Sequence, residues 1–199
     1  METKRVYFVG VGGQGNILAT KLVGEAAIIA GVPVNMSETH GMAQRGGVVE
    51  STAVVGPACS SIISEGEVDI ALAFEPLEAM RALEKMNCKT LVIMSKSAIP
   101  PFTVAIGQGK YPETKGAIDY IRSKVGKVVA FDAMEEARAA GNPLGVNMVM
   151  VGALCASGQL PMNDSDFKKA IETKTKKAFI KANMDCFERG IEVYSRSMS

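Results

Sequence analysis

Val6-Tyr7-Phe8-Val9-Gly10-Val11-Gly12-Gly13-Gln14-Gly15-Asn16-Ile17-Leu18-Ala19 begins as an apolar run, breaks into a glycine-rich turn and resumes as a second apolar pattern. Residues 6–9 read as a short strand, 10–15 as the turn and 16–30 as a helix, with Gly31 as its stop and Pro33 barring continuation. A strand that passes through G-x-G-x-x-G into a helix is the first unit of a layered α/β sheet. Its bare backbone N–H groups and helix N-terminus suit an anion. Glycine is required there because a side chain would obstruct both the tight turn and the approach of a phosphate or another backbone.

Working outward, the pattern repeats. Residues 32–36, 48–55, 69–74, 90–94 and 127–131 read as strands, that over 48–55 ending at Gly56-Pro57. Helices are predicted over 76–86, with Pro76 in the first turn, over 115–124 behind a Thr114 cap, and from an Asp132 cap to Gly141. Residues 146–156 are almost wholly apolar but far short of the ~20 needed to span a bilayer, so they read as a buried helix. Residues 164–196 read as one or two amphipathic helices with Phe167, Ile171, Phe179, Met184, Phe187 and Ile191 facing the core. The expected fold is a three-layer α/β/α, Rossmann-like domain over 1–199, with a largely parallel, possibly mixed sheet.

Composition narrows the function classes. A net charge of +1 gives no electrostatic footprint for nucleic acid, and the charged start before residue 6 gives no signal or transit peptide, so the expectation is a cytoplasmic protein with neither nucleic acid nor membrane as partner. Cys59, Cys88, Cys155 and Cys186 are too scattered to clip a metal or iron–sulfur cluster, and three of the four have the apolar or small neighbours typical of packed thiols, so a structural role is expected. Lys168, Lys169, Lys174, Lys176, Lys177 and Lys181 form a local basic face, either solvated or docking a partner.

The stretch Ser37-Glu38-Thr39-His40-Gly41-Met42-Ala43-Gln44-Arg45-Gly46-Gly47 reads as a polar loop that sets an acid, the chain's single imidazole, an amide and a guanidinium among permissive glycines. Loops are where a rigid α/β scaffold displays functional groups, so Glu38, Gly41, Arg45, Gly46 and Gly47 join Gly10, Gly12, Gly13, Gln14 and Gly15 as candidate ligand-binding residues, with His40 and Arg45 the candidates for direct catalysis. The bland reading makes Glu38 and Arg45 an internal ion pair pinning the loop. A dinucleotide-dependent dehydrogenase would use Glu38 on a ribose; a stand-alone regulatory module would use the turn only to hold an anion.

G-V-G-G-Q-G at 10–15 followed by S-E-T-H-G-M-A-Q-R-G-G at 37–47 resembles the gamma-type domain of the 2-oxoacid:ferredoxin oxidoreductases. Ala73-Phe74-Glu75-Pro76-Leu77-Glu78-Ala79, Pro100-Pro101, and Gly141-Asn142-Pro143 with Asn147-Met148 look especially like the indolepyruvate-type members. The resemblance covers nearly the whole chain, although residues 103–111 match nothing in the pattern. It implies a subunit of a hetero-oligomer that decarboxylates a 2-oxoacid (indolepyruvate, pyruvate or ketoisovalerate), transfers the acyl group to coenzyme A and reduces ferredoxin. It also implies that thiamine diphosphate and 4Fe-4S clusters sit in a catalytic alpha-type partner, that this chain binds no cofactor or metal alone, and that it is inactive by itself.

Overall fold

The computed structural model describes residues 1–39, 47–100, 104 and 110–198. Six strands, β1 (Lys4–Val11), β2 (Val34–Thr39), β3 (Val48–Val55), β4 (Ile70–Ala73), β5 (Leu91–Ser95) and β6 (Lys127–Phe131), form one sheet in the order β2-β3-β1-β4-β5-β6. Parallel ladders join β1 to β4, β4 to β5 and β5 to β6, whereas β3 runs antiparallel to both β1 and β2. The sheet is therefore mixed, with β3 the one reversed strand.

The central strands β1, β4 and β5 are largely apolar because both faces are covered. Val6, Phe8, Ile70, Leu72 and Ile93 point into one layer and Tyr7, Val9, Ala71, Ala73 and Val92 into the other, the period-2 alternation of a pleated strand. The first layer is built by α1 (Asn16–Ile29) with α4 (Ala133–Ala139), α5 (Val146–Ala156), α6 (Asp164–Lys174) and α7 (Ile180–Met198). The second is built by α2 (Pro76–Arg81), a 3-10 turn (Ala82–Lys85) and α3 (Thr114–Arg122). Asp132 caps α4 by accepting from the Glu135 N–H at 3.0 Å.

Helix α5 is buried over nearly its whole length, as its composition predicts. It crosses α7 at two glycines: a Cβ on Gly152 would sit 2.0 Å from the Phe187 carbonyl oxygen, and one on Gly190 2.0 Å from that of Val149. Phe187 then stacks on Phe167 of α6 with ring centroids 6.1 Å apart.

Several sequence expectations are corrected. β1 continues through Gly10 and Val11, which pair with Val49 and Val48, so the turn begins two residues later than the glycine pattern suggests. β2 starts at Val34 and takes in Ser37 and Glu38; an edge strand needs only one ladder, here to β3, and tolerates polar side chains. Thr114 is the first residue of α3 and not its cap, a place held by Glu113 without a side-chain bond. The helix expected over 76–86 tightens into the 3-10 turn after Arg81. Phe179 is 58% exposed because the 3-10 turn Lys177–Phe179 separates α6 from α7 and turns its ring outward. Cys59 and Cys88 are exposed, on connections beyond β3 and before β5, so only Cys155 and Cys186 behave as packed thiols; burial pushes both up to about 11.

Candidate functional site

The strand order changes direction between β1 and β4, which places the glycine turn beside the carboxyl end of β4 at the crevice where open α/β sheets hold ligands. Gln14 closes this crevice from inside. Its Oε1 accepts the Val11 N–H at 2.7 Å and its Nε2 donates to the Phe74 carbonyl at 2.9 Å, so the amide read as ligand-binding is committed to fastening the turn to β4. Gly10 makes room for that amide, since a Cβ there would lie 2.7 Å from Gln14 Oε1 and 2.8 Å from Phe74 Cβ. Gly12 donates its N–H to the Gly47 carbonyl at 2.9 Å, tying the turn to the far end of the polar stretch.

Gly13 and Gly15 have φ of +102° and +83°, in the left-handed region that glycine enters freely. Gly15 also receives the Asn147 side chain of α5, whose Nδ2 would be 2.7 Å from a Cβ at that position. As the N-cap of α1, Gly15 supplies no side-chain bond to the helix. Asn16 follows, 2% exposed. Its Nδ2 donates to the Val49 carbonyl at 3.0 Å, but its buried Oδ1 has no hydrogen-bond partner among the described residues, and an isolated buried acceptor costs free energy until a donor reaches it. Thr20 and Ser51 share a 2.6 Å hydroxyl contact one turn deeper.

Two concavities meet at this turn. One of about 400 Å³ is lined by Gly12, Gly13, Gly15, Asn16, Ile17 and Val49. The other, about 300 Å³, runs from Gly12 and Gly13 past Ser95 and Ser97 to Leu144. On its β5–β6 side Ser95 donates to Ser97 at 3.1 Å and Ser97 to Asp132 at 2.8 Å. Partial burial opposes ionisation of Asp132, but the Glu135 N–H and the Ser97 hydroxyl outweigh it and hold the carboxyl below its ordinary range.

Beside Phe74 lies an acidic cluster. Glu75 is fully buried; its carboxylate caps α2 through the Glu78 N–H at 3.0 Å and also accepts from the Ile99 N–H at 3.3 Å and from the Tyr111 hydroxyl. Tyr111 ends the segment the sequence pattern left unplaced, and burial with Glu75 beside it pushes its phenol upward. Glu78 is 3% exposed, bonded to Arg81 Nη1 at 2.7 Å through one oxygen, while the other has no partner among the described residues. Burial first, then Glu75 and Glu50, push its carboxyl above the usual range against the pull of Arg81.

Glu38 pairs with Lys21 at 3.5 Å, an arrangement that engages the acid a ribose would need. His40, Gly41, Arg45 and Gly46 lie outside the described residues, and so does the proposed Glu38–Arg45 pair. Of the basic face, Lys168, Lys174 and Lys181 are held in ion pairs with Asp164 and Glu188, Glu25, and Asp185 respectively. Among the described residues no group of three or more His, Cys, Asp or Glu side chains converges to hold a metal, so these residues do not fit an iron–sulfur cluster. No described helix is long and apolar enough to cross a membrane. Sequence reasoning took Asn16 as a helix start and Asn147 as part of the resemblance, but placed neither in the site; the signal available was an asparagine in the first turn of each of two largely apolar helices, where amides seldom sit without a partner to meet.

A mixed sheet covered on both faces, with a glycine turn at its switch point, defines an α/β domain of the kind found in oxidoreductase gamma subunits. The gamma subunit of a keto/oxoacid ferredoxin oxidoreductase from Geobacter sulfurreducens superposes with a TM-score of 0.72 at 22% identity, covering 97% of this chain and 99% of that one. A 2-oxoglutarate:ferredoxin oxidoreductase from Magnetococcus marinus, solved with 2-oxoglutarate, coenzyme A and succinyl-CoA bound, gives 0.71 at 18% identity over 98% of this chain and 32% of its own. Residues 5–193 match the pyruvate ferredoxin/flavodoxin oxidoreductase family, and the chain belongs to it. Indolepyruvate oxidoreductase subunit IorB of Methanothermobacter thermautotrophicus is 40% identical over 192 residues, 96% of this chain and 98% of that protein.

Proposed function

We propose that this chain is the gamma-type subunit, a single domain over 1–199, of an indolepyruvate-type 2-oxoacid:ferredoxin oxidoreductase. The observation that carries this reading is the near full-length likeness to an indolepyruvate oxidoreductase subunit, joined to a glycine turn left open on the carboxyl edge of the sheet. In the overall reaction the 2-oxoacid and the coenzyme A thiol give the acyl thioester, carbon dioxide and a proton, and two electrons pass to ferredoxin. Thiamine diphosphate supplies the electron sink for decarboxylation and iron–sulfur clusters the electron path; both belong to the alpha-type partner. No convergent metal-ligating set among this chain's described residues competes for them.

This chain's own part is binding and enclosure. The α1 N-terminus and the backbone at Gly13 and Gly15 offer donors to an anionic group, a coenzyme A phosphate or a carboxylate, and Asn16 Oδ1 offers a buried acceptor to a neighbouring N–H or O–H. Arg45 is assigned the bidentate contact to the same anion and His40 a proton-handling role near it. Gln14, Glu38 and Gly47 then support the site from behind, through Phe74, Lys21 and Gly12. The dehydrogenase alternative is disfavoured by the Lys21–Glu38 pair.

The test is reconstitution. The thiamine- and cluster-bearing subunit, assayed for indolepyruvate- and coenzyme A-dependent ferredoxin reduction, should be silent or nearly so until this chain is added. Full activity without it, or a nicotinamide nucleotide retained by this chain after purification, defeats the reading.

A further inference from the structure

Leu144 is 91% exposed, more than any other large apolar side chain among the described residues, and the turn that carries it is tied down on both sides. The Asn142 N–H is bonded to the Ala137 carbonyl at 3.0 Å, the Gly145 N–H to that of Asn142 at 2.8 Å, and Asn142 Nδ2 to Asn183 Oδ1 at 3.3 Å. Gly145 presses onto α7 so closely that a Cβ would lie 2.4 Å from Cys186 Sγ. A lone exposed leucine is ordinary surface. This one is not alone: Leu144 and the outward-turned Phe179 stand over a groove of about 350 Å³ floored by Leu18 and Met148.

Two further features say what covers the groove. First, it adjoins the ligand crevice: Leu144 lines both, and Asn147, which lines the groove, packs on Gly15 of the glycine turn. Second, its rim is basic. Lys174 is neutralised by Glu25 at 2.8 Å, but among the described residues no carboxylate pairs with Lys176, which lines the groove, or with Lys177 next to it. An apolar projection on a stiff turn, flanked by uncommitted ammonium groups, favours a rigid protein surface with an apolar socket and acidic rim, because little ordering entropy opposes docking.

We infer that Leu144 and Phe179 are the apolar anchors by which this chain docks, next to its own ligand crevice, onto an acidic-rimmed socket of the cofactor-bearing subunit. This rests on the functional reading above for the partner's identity.

The experiment measures the affinity of the purified, full-length chain for the separately purified thiamine- and cluster-bearing subunit. Leu144→Asp and Phe179→Asp, both at exposed positions, should each weaken binding roughly 10- to 100-fold, the factor that goes with losing one buried apolar anchor. Lys176→Glu should cost a smaller factor that disappears at high salt. Ile62→Asp serves as control: Ile62 is 78% exposed beside Arg5 at the opposite edge of the sheet, and its variant should bind as the unaltered chain does. Unchanged affinity for Leu144→Asp overturns the inference while leaving the function standing. So does a dimer of the unaltered chain that Leu144→Asp makes monomeric, since the groove's occupant is then a second copy. If the unaltered chain fails to bind the cofactor-bearing subunit, the function and the docking site fall together.

Discussion

Replacing Gly15 by alanine tests whether the glycine turn is shaped by the fold or by its ligand. At φ +83° an L-residue pays about 1–2 kcal/mol for the left-handed conformation. The new methyl would also stand 2.7 Å from Asn147 Nδ2 and displace a side chain that is 6% exposed and bonded through Oδ1 to the Met148 N–H at 3.0 Å. Uprooting a buried polar group costs a further ~1–3 kcal/mol. The reduced freedom of the unfolded chain returns about 0.4–1 kcal/mol. The net loss is about 2–4 kcal/mol, a fall of roughly 1–2 M in the urea midpoint at the slopes usual for chains of this size. Gly13→Ala is the internal control, because its φ of +102° carries a comparable backbone penalty while its Cβ meets open space. Its loss should stay near ~1 kcal/mol. Asn147→Ala, combined with Gly15→Ala, should recover at least ~1 kcal/mol relative to additive behaviour, since the clash is then gone. Equal midpoints for the two glycine variants, or strict additivity with Asn147→Ala, would refute the packing argument and leave ligand approach as the reason for the glycine.

Gln14→Ala strips partners from the Val11 N–H and the Phe74 carbonyl together, about 2–6 kcal/mol at ~1–3 kcal/mol for each part-buried group, which lowers the melting temperature by on the order of 10 °C. A variant with unchanged melting temperature but no activity in the assembled enzyme would return Gln14 to the ligand. Glu78 supplies a pH signature. Burial raises its folded carboxyl above the ordinary value of 4.5, so the folded chain holds this proton more tightly than the unfolded one. Its stabilising protonated form is therefore fully present below that ordinary value, and the contribution is lost as pH rises through the higher folded value. Glu78→Gln should gain stability relative to the parent between about pH 4.5 and neutrality, measured as the difference in urea midpoint; a pH-independent difference contradicts the assignment.

The elements most legible in the sequence were those whose pattern is local. Apolar runs such as 69–74 and 90–94 announce strands buried on both faces, and Gly31 behind a periodic stretch announces a helix end. What escaped depends on partners distant in sequence. Strand β3 reads like its neighbours because direction within a ladder leaves no trace in residue type; its reversal follows from the short path between β2 and β3, too brief for a crossover helix. Glu38 looked like a loop residue because its polarity was visible and its pairing along β3 was not. In the site, residue type is legible in the sequence and bonding partner is not. The glycines fall where the motif puts them, whereas Gln14, chosen as a ligand contact for its polarity, satisfies two backbone groups, one of them 60 residues away. Asn16 was the reverse case: it read as the first residue of a helix, and only burial reveals the unmet acceptor.

The arrangement also explains why a ligand site and a docking surface would share one edge of the sheet. Gln14 fixes the turn to β4, Asn147 fixes it to α5, and the turn carrying Leu144 leads directly into α5 behind Gly145. The glycine turn and the Leu144 projection are therefore joined through a few close-packed contacts and a buried helix that admits little independent motion. A partner seated on Leu144 and Phe179 would press on the element that positions Gly15, and a ligand donor reaching Asn16 Oδ1 would firm the same contacts from the other side. By linkage, whichever binds first must then tighten the other by an equal factor, so affinity for the cofactor-bearing subunit should rise in the presence of the anionic ligand, and a partner affinity indifferent to saturating coenzyme A would separate the two sites.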